Sequence, residues 1–266
     1  MAIVFAGITP HPLALIPAIG KDEGQNELKK TIQGLATLEQ DLYLAKPDVI
    51  CIISPHEGVF EDAFVINAHT SYESNFAEFG DMTTAMSWKG SPDLAANVTT
   101  RANGISEYPV TLITESKLGH GSSVPLFMLT KNLPDVKILP IGFSGGTPEQ
   151  HVIFGNLLHE VFMDSNKRVA ILSSGDLSHT LTKGSPGGLH PKGSEFDSAL
   201  MQILATHDTQ GLVNMDPEMV QGAQECGYRS LLIACGAIGP MKCAFEKYAY
   251  EHPFGVGYLT GNFHID

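Results

Sequence analysis

The sequence predicts an α/β fold, in which a mostly parallel central sheet is flanked by helices on both faces. Short apolar runs rich in Val and Ile alternate with longer segments in which apolar residues recur every three or four positions. The first pattern is typical of buried strands and the second of amphipathic helices. Regular alternation favours parallel strands, because each intervening helix returns the chain to the same end of the sheet.

The predicted strands are residues 3–7, 49–54, 64–69, 110–114, 136–143, 168–174, 242–250 and 256–263. The predicted helices are residues 26–44, 94–101, 124–131, 148–162, 194–205, 217–222 and 229–237. Thr147 and Pro148 suit the N-cap and the first turn of one of these helices. The stretches 70–92 and 182–194 are rich in turn-forming residues, so they are expected to be loops over the functional site.

No linker, low-complexity tract or internal repeat interrupts the pattern, so residues 1–266 are expected to form a single domain. The formal net charge is −13, and the 16 Lys and Arg residues form no run. An acidic surface repels nucleic-acid phosphates, and binding to an anionic membrane needs a cluster of basic residues. We therefore expect neither nucleic acid nor a membrane as a partner.

The four cysteines and the first residues of the chain indicate a cytoplasmic protein. No two cysteines are spaced as C-x-x-C, and Cys51 and Cys235 lie in apolar runs typical of buried thiols. The opening MAIVFAGITPHP has neither the positive start nor the apolar length of a signal peptide. No segment has the length of a membrane span.

Three predicted strands run into a histidine, and this repetition is the main functional signal. His11 follows the first strand, His56 the second, and His179 the strand at residues 168–174. His120 lies in a Gly-flanked turn just before a helix. Ligands gather at the carboxyl ends of parallel strands, where an imidazole serves as a metal ligand or a proton carrier. A lone loop histidine is usually only a solvated surface residue, but four placed alike favour one common site.

A metal ion held by two histidines needs a third ligand, and Glu225 stands out for this role. It lies in the segment QECGYRS, just before an apolar helix. Its carboxylate could instead serve only to stabilise the start of that helix through the helix dipole. The pattern alone leaves both interpretations open.

Four further residues near these motifs carry weaker signals. Asp176 precedes His179 by three residues and could orient its imidazole, although a turn or N-cap role is slightly favoured. Glu57 could support the preceding histidine or lie at the surface. Tyr228 and Arg229 could face the cleft, where Arg229 would bind a substrate carboxylate or else form a surface ion pair.

Taken in order, several motifs resemble those of the LigB-like superfamily of class III extradiol dioxygenases, which includes the β-subunit of protocatechuate 4,5-dioxygenase. These motifs are PHP, SPHE, LGHG, SSGDLSH and QECGYRS, and they span nearly the whole chain. The segments SGDLSHTL and HPFGVGY resemble one branch in particular, the LigB-like domains of the AmmeMemoRadiSam system, which are related to the Memo proteins. The resemblance implies that residues 1–266 form one LigB-like extradiol dioxygenase domain.

The resemblance implies a role for each histidine of the motifs. Metal ligands are expected at His11, His56 and Glu225. His179 matches the acid/base histidine of the family. His120 matches a second active-site histidine, which contacts dioxygen or substrate in the dioxygenases.

The resemblance also implies the cofactor and the partners. Fe(II) is the expected metal, and zinc could replace it after aerobic purification, since affinity for divalent ions rises along the first-row series. The substrates would be a small catechol-type aromatic and O2, and family members commonly form homo-oligomers. In Memo-like relatives a cysteine lies close to the third-ligand position, so Cys226 is an alternative to Glu225.

Three functions compete at this point. The first is an Fe(II)-dependent extradiol ring-cleavage dioxygenase. The second is a Memo-like metal-binding protein with a redox, signalling or modification role. The third is a zinc hydrolase, which the absence of HExxH and GxSxG disfavours. The complete set of histidines with Glu225 favours the first function, whereas a metal contact from Cys226 favours the second.

Overall fold

The computed structural model describes residues 2–58, 60–105 and 109–266. Its strands are β1 (Ile3–Thr9), β2 (Val49–Ile53), β3 (Phe64–Asn67), β4 (Ser71–Phe76), β5 (Asp81–Gly90), β6 (Val110–Ile113), β7 (Lys137–Gly142), β8 (Val169–Ser174), β9 (Cys243–Glu251) and β10 (Tyr258–Ile265). Its α-helices are α1 (Pro17–Glu27), α2 (Lys29–Ala45), α3 (Pro92–Ala102), α4 (His120–Leu129), α5 (Pro148–Asp164), α6 (Pro191–Ala205), α7 (Thr209–Val213), α8 (Pro217–Ala223) and α9 (Tyr228–Ile238). Two short 3₁₀ turns lie at Leu13–Leu15 and Ala77–Phe79.

All ten of these strands belong to one sheet, which confirms the predicted α/β class. The order is β4-β5-β7-β2-β8-β1-β10-β9, and β3 pairs with both β7 and β6. The strands from β5 to β1 in this order run parallel to one another. The sheet as a whole is mixed, because β9, β10 and β4 add antiparallel pairs at its two edges and β3 runs antiparallel to β7.

Helices cover both faces of the sheet, as β2 illustrates. Its five residues are all buried. Val49, Cys51 and Ile53 belong to the apolar core that includes α5 and α9, while Ile50 and Ile52 belong to the core that includes α2 and α4. A strand buried on both faces needs a continuous apolar run, which is the pattern of VICII.

The segment 70–92 was predicted to be a loop, and this prediction is wrong. It forms a hairpin of β4 and β5 with the 3₁₀ turn Ala77–Phe79 at its tip. In β4 the buried residues Tyr72, Ser74 and Phe76 alternate with exposed polar ones. Such a strand has only half of its residues in the core, so its polar content hid a two-residue period.

Helices α1 and α7 are absent from the predicted helices, and one predicted loop is shorter than expected. Helix α1 was not predicted, because its sequence is polar and glycine-containing and its backbone is interrupted at Lys21, which has φ 51. The predicted loop 182–194 is confirmed up to residue 190, after which Pro191 occupies the first turn of α6. Among the residues that the structure describes, no helix combines the length and apolar character needed to cross a bilayer.

The close packing of helix α5 against helix α9 depends on two glycines. A Cβ added at Gly155 would lie 2.2 Å from the carbonyl oxygen of Ile233, and one added at Gly236 would lie 2.3 Å from that of Val152. The backbones therefore touch where these glycines meet. This packing holds α9, and with it the turn that precedes it, against the sheet.

Gly236→Ala is expected to lower the free energy of unfolding by about 1–3 kcal/mol, as for other overpacked cores. Alanine has a higher helix propensity than glycine, so a loss of stability on this substitution is due to the steric clash. The measurement is urea-induced unfolding. The control is Gly184→Ala, whose Cβ would meet nothing closer than Thr182 Oγ1 at 3.9 Å. Equal stability of the two variants would contradict the packing argument.

Candidate metal site

Three neighbouring parallel strands bring the predicted histidines to one edge of the sheet. Thr9 of β1 pairs with Ser174 of β8, and Ile53 of β2 pairs with Ser173. His11 and Asp176 thus lie two residues beyond one paired position, and His56 lies three residues beyond the other. The register of the sheet alone brings these segments together.

His120 joins this group from the first turn of α4. Its ring centroid lies 4.1 Å from that of His56 and 5.4 Å from that of His11, and the His11 and His56 centroids are 5.1 Å apart. One nitrogen from each of the three rings lies within 4.8 Å of the other two, a spacing at which they could share a metal ion. His11 is buried, while His120 is half-buried and His56 exposed, so the cluster is open to solvent on one side.

The imidazole of His11 is held in one tautomer by its neighbours. Ser174 Oγ donates a hydrogen bond to the carbonyl of Gly121 at 2.5 Å, so it accepts one from Nδ1 of His11 at 3.0 Å. With the proton on Nδ1, the lone pair of Nε2 is free for a metal ion. The backbone amide of His11 also donates to Asp176 Oδ1 at 2.9 Å, which fixes the ring relative to β8.

Cys226 lies on the other side of His11. Its Sγ is 3.6 Å from His11 Nε2 and accepts a hydrogen bond from the amide of Asp176 at 3.2 Å. The thiol reaches this place because two backbones touch: a Cβ at Gly175 would lie 2.1 Å from the Cα of Gly227. His11, Asp176 and Cys226 form a second group whose ligand atoms lie within 4.8 Å of one another.

Glu225, the predicted third ligand, is held elsewhere. Its Oε2 accepts a hydrogen bond from the amide of Tyr228 at 2.5 Å, in the first turn of α9. Within residues 2–58, 60–105 and 109–266, no group of clustered ligand atoms includes Glu225. Burial raises the pKa of this carboxyl to about 7. This contact is the one expected if the Glu225 carboxylate serves only to stabilise the start of helix α9.

His179 lies beside the two groups but has different contacts. Its Nδ1 donates to the carbonyl oxygen of Gln224, and its Nε2 lies 3.9 Å from Asp176 Oδ2. Asp176 thus contacts both His11, through Oδ1, and His179, through Oδ2. The contact with His179 is the kind that the orienting interpretation of Asp176 predicts.

The surroundings shift the pKa values of the histidines in opposite directions. Burial lowers the pKa of His11, His56 and His120, that of His56 to about 4, and the raising effect of Asp176 does not cancel this. Burial acts on His179 in the same sense, but the nearby Asp176 carboxylate and the hydrogen bond to Gln224 outweigh it and raise the pKa. The first three rings therefore favour the neutral form that binds metals, and His179 favours the form that carries a proton.

Among the described residues, the remaining predicted site residues belong to neither group of clustered ligand atoms. Glu57 is buried, burial raises its pKa to about 7, and its Oε1 has no hydrogen-bond partner among the described residues. The hydroxyl of Tyr228 donates to the carbonyl of Leu212 at 2.7 Å, inside the core. The guanidinium of Arg229 lies over the ring of Phe143, 5.6 Å from its centroid.

Sequence reasoning missed Ser174 and Gln224, which position His11 and His179. Ser174 could have been found, because the two-residue period of β8 places it on the same face as Ala170 and Leu172, towards α4. Gln224 contributes a backbone carbonyl from a residue with φ 49, and no side-chain pattern predicts such a contact.

Comparisons with known proteins identify the family to which this sequence is similar. A family profile described as the catalytic LigB subunit of aromatic ring-opening dioxygenase matches residues 6–261. Protein CA_C1420 of Clostridium acetobutylicum is 27% identical over 260 residues, which are 94% of this chain and 55% of that protein. The chain thus spans about half the length of that relative. A MEMO1 family protein of Methanosarcina mazei is 26% identical over 253 residues, 85% of each chain.

A solved structure has the same fold. The crystal structure of the uncharacterized protein JW3007 from Escherichia coli K12 superposes with a TM-score of 0.68. The match covers 97% of this chain and 99% of that one, at 18% sequence identity. At this identity the likeness concerns the fold alone.

Ser174→Ala is expected to weaken metal binding by about 10–100-fold, the usual effect of losing the group that orients a ligand histidine. The matched control is Ser173→Ala, because the adjacent Ser173 hydroxyl is buried and has no hydrogen-bond partner among the described residues. Competition with a chromophoric chelator for Zn²⁺ measures both affinities. If both variants bind zinc like the wild type, Ser174 does not set the tautomer of His11.

Proposed function

The chain belongs to the LigB family, whose profile matches residues 6–261. From this premise we propose that it is a metal-dependent oxidoreductase that resembles the Memo proteins. In this proposal one transition-metal ion is held by His11, which belongs to both groups of clustered ligand atoms, together with His56 from the first group and Cys226 from the second. The observation that supports it is the 3.6 Å contact of Cys226 Sγ with the free nitrogen of His11, while the Glu225 carboxylate is bound to the amide of Tyr228.

The donor atoms fit a transition metal better than a hard cation. Imidazole and thiolate select iron, copper or zinc, whereas magnesium and calcium prefer oxygen ligands. Burial raises the pKa of the Cys226 thiol, so the thiol is neutral until a metal ion displaces its proton. We propose Fe(II) as the metal in the cell, with zinc as its replacement in protein purified in air.

A bound iron ion would supply one-electron redox chemistry and would polarise a coordinated small molecule. The chain supplies the positioning and the proton handling. His120 lies on the open side, next to His56 and the exposed ring of Phe79, where it would donate a hydrogen bond to a bound small molecule. His179 would give or take a proton at Nε2, with Asp176 stabilising its charged form.

A second candidate is extradiol cleavage of a catechol-type aromatic with O2. The pair His179 and Asp176 favours it, because chelation of a catechol requires a base to accept a phenol proton. This candidate needs the Glu225 carboxylate to leave the amide of Tyr228 and face the histidines. Anaerobic loading with Fe(II), followed by oxygen-uptake measurements with catechol and protocatechuate, tests it directly. Substrate-dependent uptake would replace our first candidate with this one.

Cys226→Ser is expected to remove most of the bound metal, whereas Glu225→Gln should retain it, because only the first change removes a donor atom beside His11. Cobalt(II) is the probe, since a thiolate ligand gives a charge-transfer absorption that serine cannot give. Cys243→Ser is the matched control, a half-buried cysteine that contacts His207. The opposite result, loss of cobalt in Glu225→Gln and retention in Cys226→Ser, would support the dioxygenase ligand set.

His179→Ala should leave metal content nearly unchanged, since it removes no proposed ligand, while His11→Ala should lose the metal. For any substrate that the wild type turns over, the His179 variant should be slower by about 10²–10⁴, the scale of a lost general acid or base. Metal content by mass spectrometry and turnover are measured on the same samples. A His179 variant that loses its metal while the His11 variant keeps it would reverse the assignment.

A further inference from the structure

A groove of about 390 Å³ lies between α8, α9 and the start of α5. Its apolar walls come from Pro148, Met215, Pro217, Val220 and Leu232. None of the four site histidines lines it, and neither does Cys226. The groove is therefore a cavity separate from the metal site, although the turn that contains Gln224 and Glu225 forms one of its walls.

Arg229 gives this groove one cation with unused hydrogen-bond donors. Its side chain is half-buried, and its guanidinium rests on the ring of Phe143. Within the described parts of the chain, none of the ion pairs includes Arg229. A stacked guanidinium is already restricted in its motion, so less entropy is lost when it binds a planar anion.

The other charged residue of the groove forms no ion pair with this cation, although the charge of Arg229 partly opposes the rise that burial causes in the pKa of that residue's carboxyl. Among the lining residues only Glu225 and Arg229 are charged. Oε2 of Glu225 is bound to the amide of Tyr228, and the carboxylate makes no ion pair with Arg229. The groove thus combines an aliphatic lining with a guanidinium whose fork matches a carboxylate.

We propose that this groove binds a small monocarboxylate with an apolar body, whose carboxylate pairs with Arg229 and whose body packs against Val220 and Leu232. The volume is in the range of small-molecule sites, which are mostly apolar with a few polar groups that fix orientation. The net charge of −13 repels anions from the surface in general, so retention of a carboxylate depends on this one guanidinium.

The test uses 3-phenylpropanoate and its neutral amide, 3-phenylpropanamide, which share one apolar body. Calorimetric titration of the full chain should show binding of the acid and at least about 10-fold weaker binding of the amide, the scale of a charge-assisted hydrogen bond. Arg229→Gln should weaken binding of the acid to the level of the amide. The matched control is Arg101→Gln, which removes the same charge from a residue paired with Glu160 and Asp164.

Val220→Phe, which fills the groove without changing charge, should abolish binding of both compounds. Titrations repeated after removal of metal with a chelator should give the same affinities, so the result does not depend on the proposed metal site. Equal binding of acid and amide, unchanged binding by Arg229→Gln, or no binding of the acid by the wild type would each overturn the proposal.

Discussion

The parallel pairing of β1, β8 and β2 is the constraint on which the candidate site depends. Because Thr9 pairs with Ser174 and Ile53 with Ser173, the three strands end at one level of the sheet. The residues that follow these strands therefore lie along the same edge of the sheet. The strand register itself brings His11, His56 and Asp176 close together. The two apolar cores matter to the site because they hold these strands in register from both faces.

Around this edge, a single carboxylate lies between two histidines whose pKa values shift in opposite directions. Asp176 binds the amide of His11 with one oxygen and faces His179 with the other. Burial lowers the pKa of His11, whereas at His179 the Asp176 carboxylate and the hydrogen bond to Gln224 together outweigh burial and raise the pKa. One aspartate therefore contacts both a histidine that burial keeps neutral and a histidine that favours the protonated form.

The sequence was sufficient for the class of fold and for the meeting of the histidines, because both follow from strands that end in the same way. It was insufficient for the hairpin at 70–92, where buried Tyr72 and Phe76 alternate with polar residues in a strand of ordinary polarity. It also could not separate Glu225 from Cys226. Neighbours in a chain point in different directions. Which of the two faces His11 depends on the contact between Gly175 and Gly227, which lie in the separate motifs SSGDLSH and QECGYRS.

That glycine contact has a consequence for how this protein can vary in sequence. A side chain at residue 175 has no free volume to occupy, since the Cα of Gly227 already stands 2.1 Å from where its Cβ would be. Any substitution there must displace the backbone that carries Cys226. His120, by contrast, lies at the open side of the cluster, where a different side chain meets solvent. A residue without side-chain chemistry, Gly175, thus limits which sequences can keep Cys226 in its place.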